Sequence, residues 1–486
     1  MAFGMNFNER TEIEQKVVVL AFGVDTLAGG DAMHESGAQH FIIDTWTSGM
    51  TPPPLYYDTI AKDLRQAGGA PEFSDKEAIK KYINDYRLHE LPNEIRNQIE
   101  QLAHGRRNDV LSLVDALEMV LRTLDENVEP PGYDEKYRAV TGLTEVRLVD
   151  AAPYRTTLEH ALAKAGFEVR PDRDLRQSSV AWEKAKGHIG AYGKGDDEKI
   201  DAAIVQQKFN ETIQRLLEIA REKLFSQMDF GIPGFQPDLS DVLFDGFEFK
   251  PINNVSFTGS SIYRGQGTDV PLLQGLLEYN TDHPLTAAGL IQLAAHEAMI
   301  GHYLNSAVTD LLWRAGKLPF EATMGTMCTS SAVFQEGWAE NALYVIYGSK
   351  EEALNGIEKD FGINSADMEV VLAMADLQNV AKHNVSILYQ REGVPIEKVR
   401  NYLRDDCIMP DHLVKKLSGG WAQDPILGPM YGPAYYVGTK VVRDAIAKVG
   451  AKRVAEVGLQ ITGRLANVVT FPEQVYQKSA ESLQLS

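Results

Sequence analysis

Leu290-Ile-Gln-Leu-Ala-Ala-His296-Glu297-Ala-Met-Ile300-Gly301-His302 is the stretch on which the reading of this chain turns. Its apolar residues recur at helical spacing, so it reads as a mostly buried helix carrying two imidazoles and a carboxylate. Buried polar side chains need partners. A zinc hydrolase supplies one kind: neutral imidazoles act as ligands and an adjacent carboxylate takes a proton from water, which is why His-Glu followed by His recurs in such enzymes. The spacing here departs from the usual one. In a His-Glu-x-x-His helix the second ligand lies four residues on, where this chain has Ile300, and His302 lies six on. Six residues at about 3.6 per turn rotate by about 600°, leaving His302 roughly 120° from His296 on a regular helix. The helix has to bulge or kink for both rings to meet, and Gly301 is the residue type that permits it.

The spacing alone is weak, because His34-Glu35-Ser36-Gly37-Ala38-Gln39-His40 repeats the same string in a context that reads as a solvated turn. Context separates the two copies. The second follows an apolar run and is trailed by Phe334-Gln-Glu336-Gly337-Trp338-Ala339-Glu340 inside another expected helix. A downstream helix offering Glu336 to His296 and His302 would complete three protein ligands and leave a fourth position for water. Glu340, four residues after Glu336 and on the same face, is placed to partner a ligating histidine.

Helical patterns dominate outward from this segment. The first half reads as successive helices: 12–27, one opened by the capping box at Ser74 to Glu77, one with Pro92 in its first turn, 110–124, and a long one over 199–228. Between about 229 and 267, Gly, Pro and aromatic residues accumulate, and Phe247-Glu248-Phe249 and Val255-Ser256-Phe257 read as two short strands. Helical spacing then returns at 285–315, 330–347, 350–361, 365–390 and 396–405. The expected fold is mostly α: a large helical bowl with a small β-sheet insertion. Its division is a helical N-terminal part, 1–227, and a site-bearing part, 228–486, with one continuous domain as the alternative. No repeat of fixed period is present, which argues against a solenoid.

Composition narrows the function classes. The chain has 48 Lys and Arg against 68 Asp and Glu, a net charge of −20, which disfavours a nucleic-acid binder needing clustered cations. With 44% apolar and 24% charged residues it is a globular chain. Two cysteines, Cys328 and Cys407, are too few for a disulfide framework and suit a reducing compartment. No signal-peptide pattern and no apolar run of about 20 residues is read, so the expectation is a cytoplasmic protein with no membrane partner.

Three blocks in order carry a resemblance. His296-Glu297-Ala-Met-Ile300-Gly301-His302, preceded by Asn280-Thr281, resembles the His-Glu-x-x-Pro-Gly-His block of a bacterial family of helical proteins of unknown function related to the gluzincin metallopeptidases. Glu336-Gly337-Trp338-Ala339 is similar to that family's Glu-Gly-Trp-Ala block, and Tyr435-Tyr436-Val437-Gly438 with Arg443 to its C-terminal Tyr-x-x-Gly and Arg block. The family's proline position is Ile300 here. The resemblance implies a gluzincin-like fold, His296, His302 and Glu336 as zinc ligands, Glu297 as general base, and Tyr435 as a hydrogen-bond donor near the substrate.

The function expected from these residues is metal-dependent hydrolysis of an amide or peptide bond, with a peptide or small amide as substrate. Zinc (Zn) is inferred from the nitrogen and carboxylate donors, which also accept manganese, cobalt or iron. Tyr435 or Tyr436 would donate to the oxyanion, and the strand region around Val255 to Arg264 would offer an edge to an extended substrate. Two alternatives come from other classes: a helical binding or scaffold protein with a disabled site, and a metal-dependent lyase or hydrolase of a non-peptide small molecule. Trp338 also reads as packing, the tyrosines as an aromatic wall, His383 as structural, and Arg443 with Lys440 and Asp444 as a charged helix face. Oligomeric state is not legible.

Overall fold

Thr, Ser and Asn residues at the starts of apolar helical runs set where the main helices begin. Thr286 accepts from the Gly289 amide at 2.8 Å and opens Ala287–Glu297. Thr329, Ser349 and Asn364 cap Ser330–Glu340, Lys350–Phe361 and Ser365–Ser386 in the same way. Each such cap stabilises its helix by about 1 kcal/mol. The computed structural model describes residues 11–28, 43–45, 76–171, 173–187, 202–228, 247–253, 258–266, 273–281, 285–314, 316–459 and 466–476. Ser74, the His34 to His40 string and the strand expected at 255–257 lie outside them.

The protein is mostly helical with a small three-stranded sheet. Helices Glu12–Leu27, Lys350–Phe361 and Ile396–Asp405 have the bounds read from sequence. Others differ in detail. His104–Leu124 starts earlier than expected, the long helix is Ala202–Lys223, and Ser330–Glu340 is separated at Asn341 from Ala342–Tyr347. Ser365–Ser386 continues into a π-helical turn, Ile387–Arg391. Among the described residues no helix is long and apolar enough to cross a membrane.

Strand β1, Ile43–Thr45, pairs antiparallel with β5, Met324–Thr326; between them in the chain come β2, Phe247–Ile252, β3, Gly259–Gln266, and β4, Leu273–Asn280. The three-stranded sheet has the order β2-β4-β3, with β2 parallel and β3 antiparallel to β4. The β region therefore runs beyond residue 267 and turns on a strand, β4, that the sequence reading did not anticipate. Leu273-Gln-Gly-Leu-Leu-Glu-Tyr-Asn280 contains no Val, Ile or Thr and does not alternate, so nothing local marks it as a strand. Pro251 fits in β2 because β2 is an edge.

One apolar core runs from Ile13 to Val475 and includes residues on both sides of position 227. Phe209 of the long helix packs against Phe249 of β2 and Tyr279 of β4, ring centroids 5.7 and 5.6 Å apart. A second cluster gathers around Trp182, Leu377, Val380, Leu403 and Leu413. Ser330–Glu340 and Ala434–Val449 cross at backbone contact: a Cβ on Gly337 would lie 2.1 Å from the Gly438 carbonyl carbon. That approach, open only to glycine on both sides, brings the tyrosines flanking Gly432 up to Glu336.

Candidate metal centre

The expected single helix over 285–315 is broken. Ala287–Glu297 and His302–Arg314 are two helices, and Ala298 to Gly301 leave the helical path between them. Ile300 takes φ 72°, a left-handed conformation that a β-branched residue adopts at a cost of order 1–3 kcal/mol. Trp338 fixes it there by donating its indole N–H to the Ile300 carbonyl at 2.5 Å. Gly301 is required: a Cβ would fall 1.6 Å from the His296 carbonyl oxygen. The amides of Gly301 and Leu304 reach the carbonyls of Ala295 and Ala298 at 3.0 and 3.2 Å, so the break is hydrogen-bonded rather than frayed.

It turns both imidazoles to one point. His296 Nε2 and His302 Nε2 lie 3.2 Å apart, with the rings at 79°. Glu336, from Ser330–Glu340, places Oε2 3.6 Å from His296 Nε2 and Oε1 3.8 Å from His302 Nε2. The three side chains offer donor atoms all within 4.8 Å of one another and are 12%, 22% and 7% exposed. Burial, and then the charges of His302 and Lys382, push the His296 imidazole down to about 3, so it is neutral at physiological pH, as a ligand must be.

These residues fit a divalent ion on two counts. Two nitrogens each about 2.0–2.1 Å from one tetrahedral ion would stand about 3.3 Å apart, close to the observed separation. Tyr431 donates its hydroxyl to Glu336 Oε1, while Glu336 Oε2 is buried with no hydrogen-bond partner. A buried carboxylate oxygen left without a donor, beside the neutral His296 imidazole, is a ligand atom in want of a cation. Glu340 stands on the far side of His296, Oε1 3.6 Å from Nδ1, where it can orient the ring.

The cluster opens on a cavity of about 290 Å³ lined by His296, Glu297, Glu340, Tyr435, Lys382 and Trp182, among others. The cavity takes its walls from both apolar clusters. Glu297 is buried, and burial followed by the Glu336 and Glu340 carboxylates holds its carboxyl well above the ordinary range. A Cβ on Gly259, the first residue of β3, would lie 3.5 Å from Glu297 Oε1, so the outer strand of the sheet passes beside this carboxylate. Lys382 holds its ammonium 3.3 Å from the centre of the Tyr435 ring.

Tyr436 and Arg443, expected to bind substrate or support the site, make other contacts and do not line the cavity. Tyr436 packs its ring 5.1 Å from that of His383. Arg443 makes two 3.0 Å bonds to Asp376 and one of 3.1 Å to Asn341 Oδ1, tying Ala434–Val449 to its neighbours.

Three contributors were given smaller parts by the sequence. Trp338, read as packing, also anchors the break. Tyr431, read as wall, is the donor to Glu336, and its spacing of four from Tyr435 was the available signal. Lys382 is signalled in the sequence only by the polar stripe that it forms with Gln378 and Asn379 on its helix.

No protein-family model matches the chain, and no curated protein matches it. Among solved structures, one from Colwellia psychrerythraea described as a "putative lipoprotein" is 15% identical, with 85% of this chain and 71% of that one covered and a TM-score of 0.48. One from Shewanella oneidensis, described as a "putative lipoprotein of unknown function", is 14% identical, with 88% and 72% covered and a TM-score of 0.43.

Proposed function

We propose that this protein is a metal-dependent, gluzincin-like hydrolase of amide or peptide bonds. The observation that carries the reading is the convergence of His296, His302 and Glu336, with His296 and the buried carboxylate of Glu297 lining one cavity. His296, His302 and Glu336 would hold the ion, zinc being the first choice for this donor set. When bound, such an ion supplies Lewis acidity to water and to a carbonyl oxygen.

The remaining work belongs to the chain. Glu297 accepts a proton from water in the cavity and returns it to the leaving nitrogen, roles suited to a carboxyl held above its ordinary range. Tyr435, which lines the same cavity, donates a hydrogen bond to the substrate carbonyl oxygen as charge develops on it. Lys382 and Tyr431, packed against Tyr435, hold its ring in place. The outer strand β3 offers backbone groups beside Glu297 to an extended substrate.

The test separates the base from the ligands. Glu297→Gln should retain metal while hydrolysis of a peptide library falls by about 10²–10⁴-fold. Glu336→Gln should lose metal and activity together. Undiminished hydrolysis by Glu297→Gln would reject the reading.

A further inference from the structure

We propose that the part of the cavity carrying Lys382 and Lys416 is a carboxylate-binding subsite, so that the preferred substrate is an amide bearing a free carboxylate. The inference rests on the hydrolase reading for the word substrate; the subsite itself rests on the residues below.

Lys382 comes from near the C-terminal end of Ser365–Ser386 and Lys416 from the last turn of Asp411–Leu417, two helices that meet on one cavity. The same cavity holds His296 and Glu297. Lys382 interacts with both groups: the Glu336 and Glu340 carboxylates attract it, and it repels Lys416. Its ammonium rests on the Tyr435 ring, which fixes its position without neutralising it.

Lys416 has no such partner. Among the described residues the one charge that acts on it is that of Lys382. Burial beside a like charge pushes its ammonium down to about 7. Glu183 lines the same cavity but does not answer it. Burial alone raises the Glu183 carboxyl, to about 7, with no charge interaction with either lysine. An ammonium held beside a second one in a partly buried cavity gives up its proton readily, and an anion that joins the two lysines restores it.

A carboxylate fits. Two ammonium groups can share its two oxygens, and charge-assisted bonds of this kind are the strong ones. At about 290 Å³ the cavity takes a small ligand, one or two residues in size, rather than a folded chain. The carboxylate could be the terminal one of a peptide or that of an acidic side chain.

Calorimetric titration of the full-length, zinc-loaded chain carrying Glu297→Gln decides the matter with three probes: N-acetyl-alanyl-alanine, its C-terminal amide, and N-acetyl-alanyl-glutamyl amide. One or both of the carboxylate-bearing peptides should bind roughly tenfold tighter than the neutral one, and whichever does so identifies the source of the carboxylate. Adding Lys416→Gln should bring the three affinities within about twofold, and Lys416→Arg should keep the preference. Equal binding of all three, binding of none, or a preference that survives Lys416→Gln overturns the subsite. Equal hydrolysis of all three by the unsubstituted chain would keep the hydrolase and reject the subsite. A preference abolished by Lys416→Gln in a chain that hydrolyses none of them would do the reverse.

Discussion

His296 and His302 stand six residues apart in sequence, yet their Nε2 atoms come within 3.2 Å because the helix that carries them stops at Glu297 and restarts at His302. The break replaces the four-residue spacing of an unbroken ligand helix. At the position where such a helix would present its second histidine, Ile300 instead turns into the core with a positive φ.

Gly301→Ala should dismantle this arrangement. Its Cβ would meet the His296 carbonyl at 1.6 Å, so the backbone carrying the first ligand must move. We expect a loss of about 2–4 kcal/mol in stability, together with loss of bound zinc. Thermal unfolding and elemental analysis of the purified variant check both. An alanine variant with full metal content would mean that the break tolerates more than its geometry allows.

Tyr431→Phe removes the hydroxyl that donates to Glu336 Oε1 and that is also hydrogen-bonded to Tyr435. Metal affinity should fall about 10–100-fold, with the melting temperature almost unchanged. Competition against a chelator of known affinity measures it. Unchanged affinity would show that Glu336 is positioned by its helix alone.

Much of this was legible in the residues, for identifiable reasons. Gly301 in an apolar helix announced a break, and Glu336 with Glu340 announced one face of a second helix. Helices such as Lys350–Phe361 were delimited by a capping serine and a closing glycine, signals that lie within a few residues of one another. The form of the break was not legible, because it depends on the Trp338 indole reaching the Ile300 carbonyl from 38 residues away. Strand β4 was missed for a related reason: its pairing with β2 and β3, not its composition, makes it a strand. Lys382 and Lys416 come together only through tertiary packing.

His383 gives a pH prediction away from the metal ligands. It is buried, and burial pushes its imidazole down to about 4, against the hydrogen bond its ring makes with the Arg147 carbonyl at 3.2 Å. The unfolded chain, with an ordinary imidazole near 6.5, therefore binds a proton between about pH 6.5 and 4 that the folded chain refuses. Stability is unaffected by this group above that window and falls through it as pH drops, by about 3 kcal/mol in all. Urea unfolding across pH 4–7.5 should show a shallower fall for His383→Gln than for the unsubstituted chain. Parallel pH curves would contradict it.

Anomalous diffraction at the zinc edge from crystals of the full-length chain tests the metal site most directly. One peak lying about 2.0–2.2 Å from His296 Nε2, His302 Nε2 and a Glu336 carboxylate oxygen is the expected result. Zinc found elsewhere, or none bound in zinc-containing buffer while the two rings keep their positions, would contradict it.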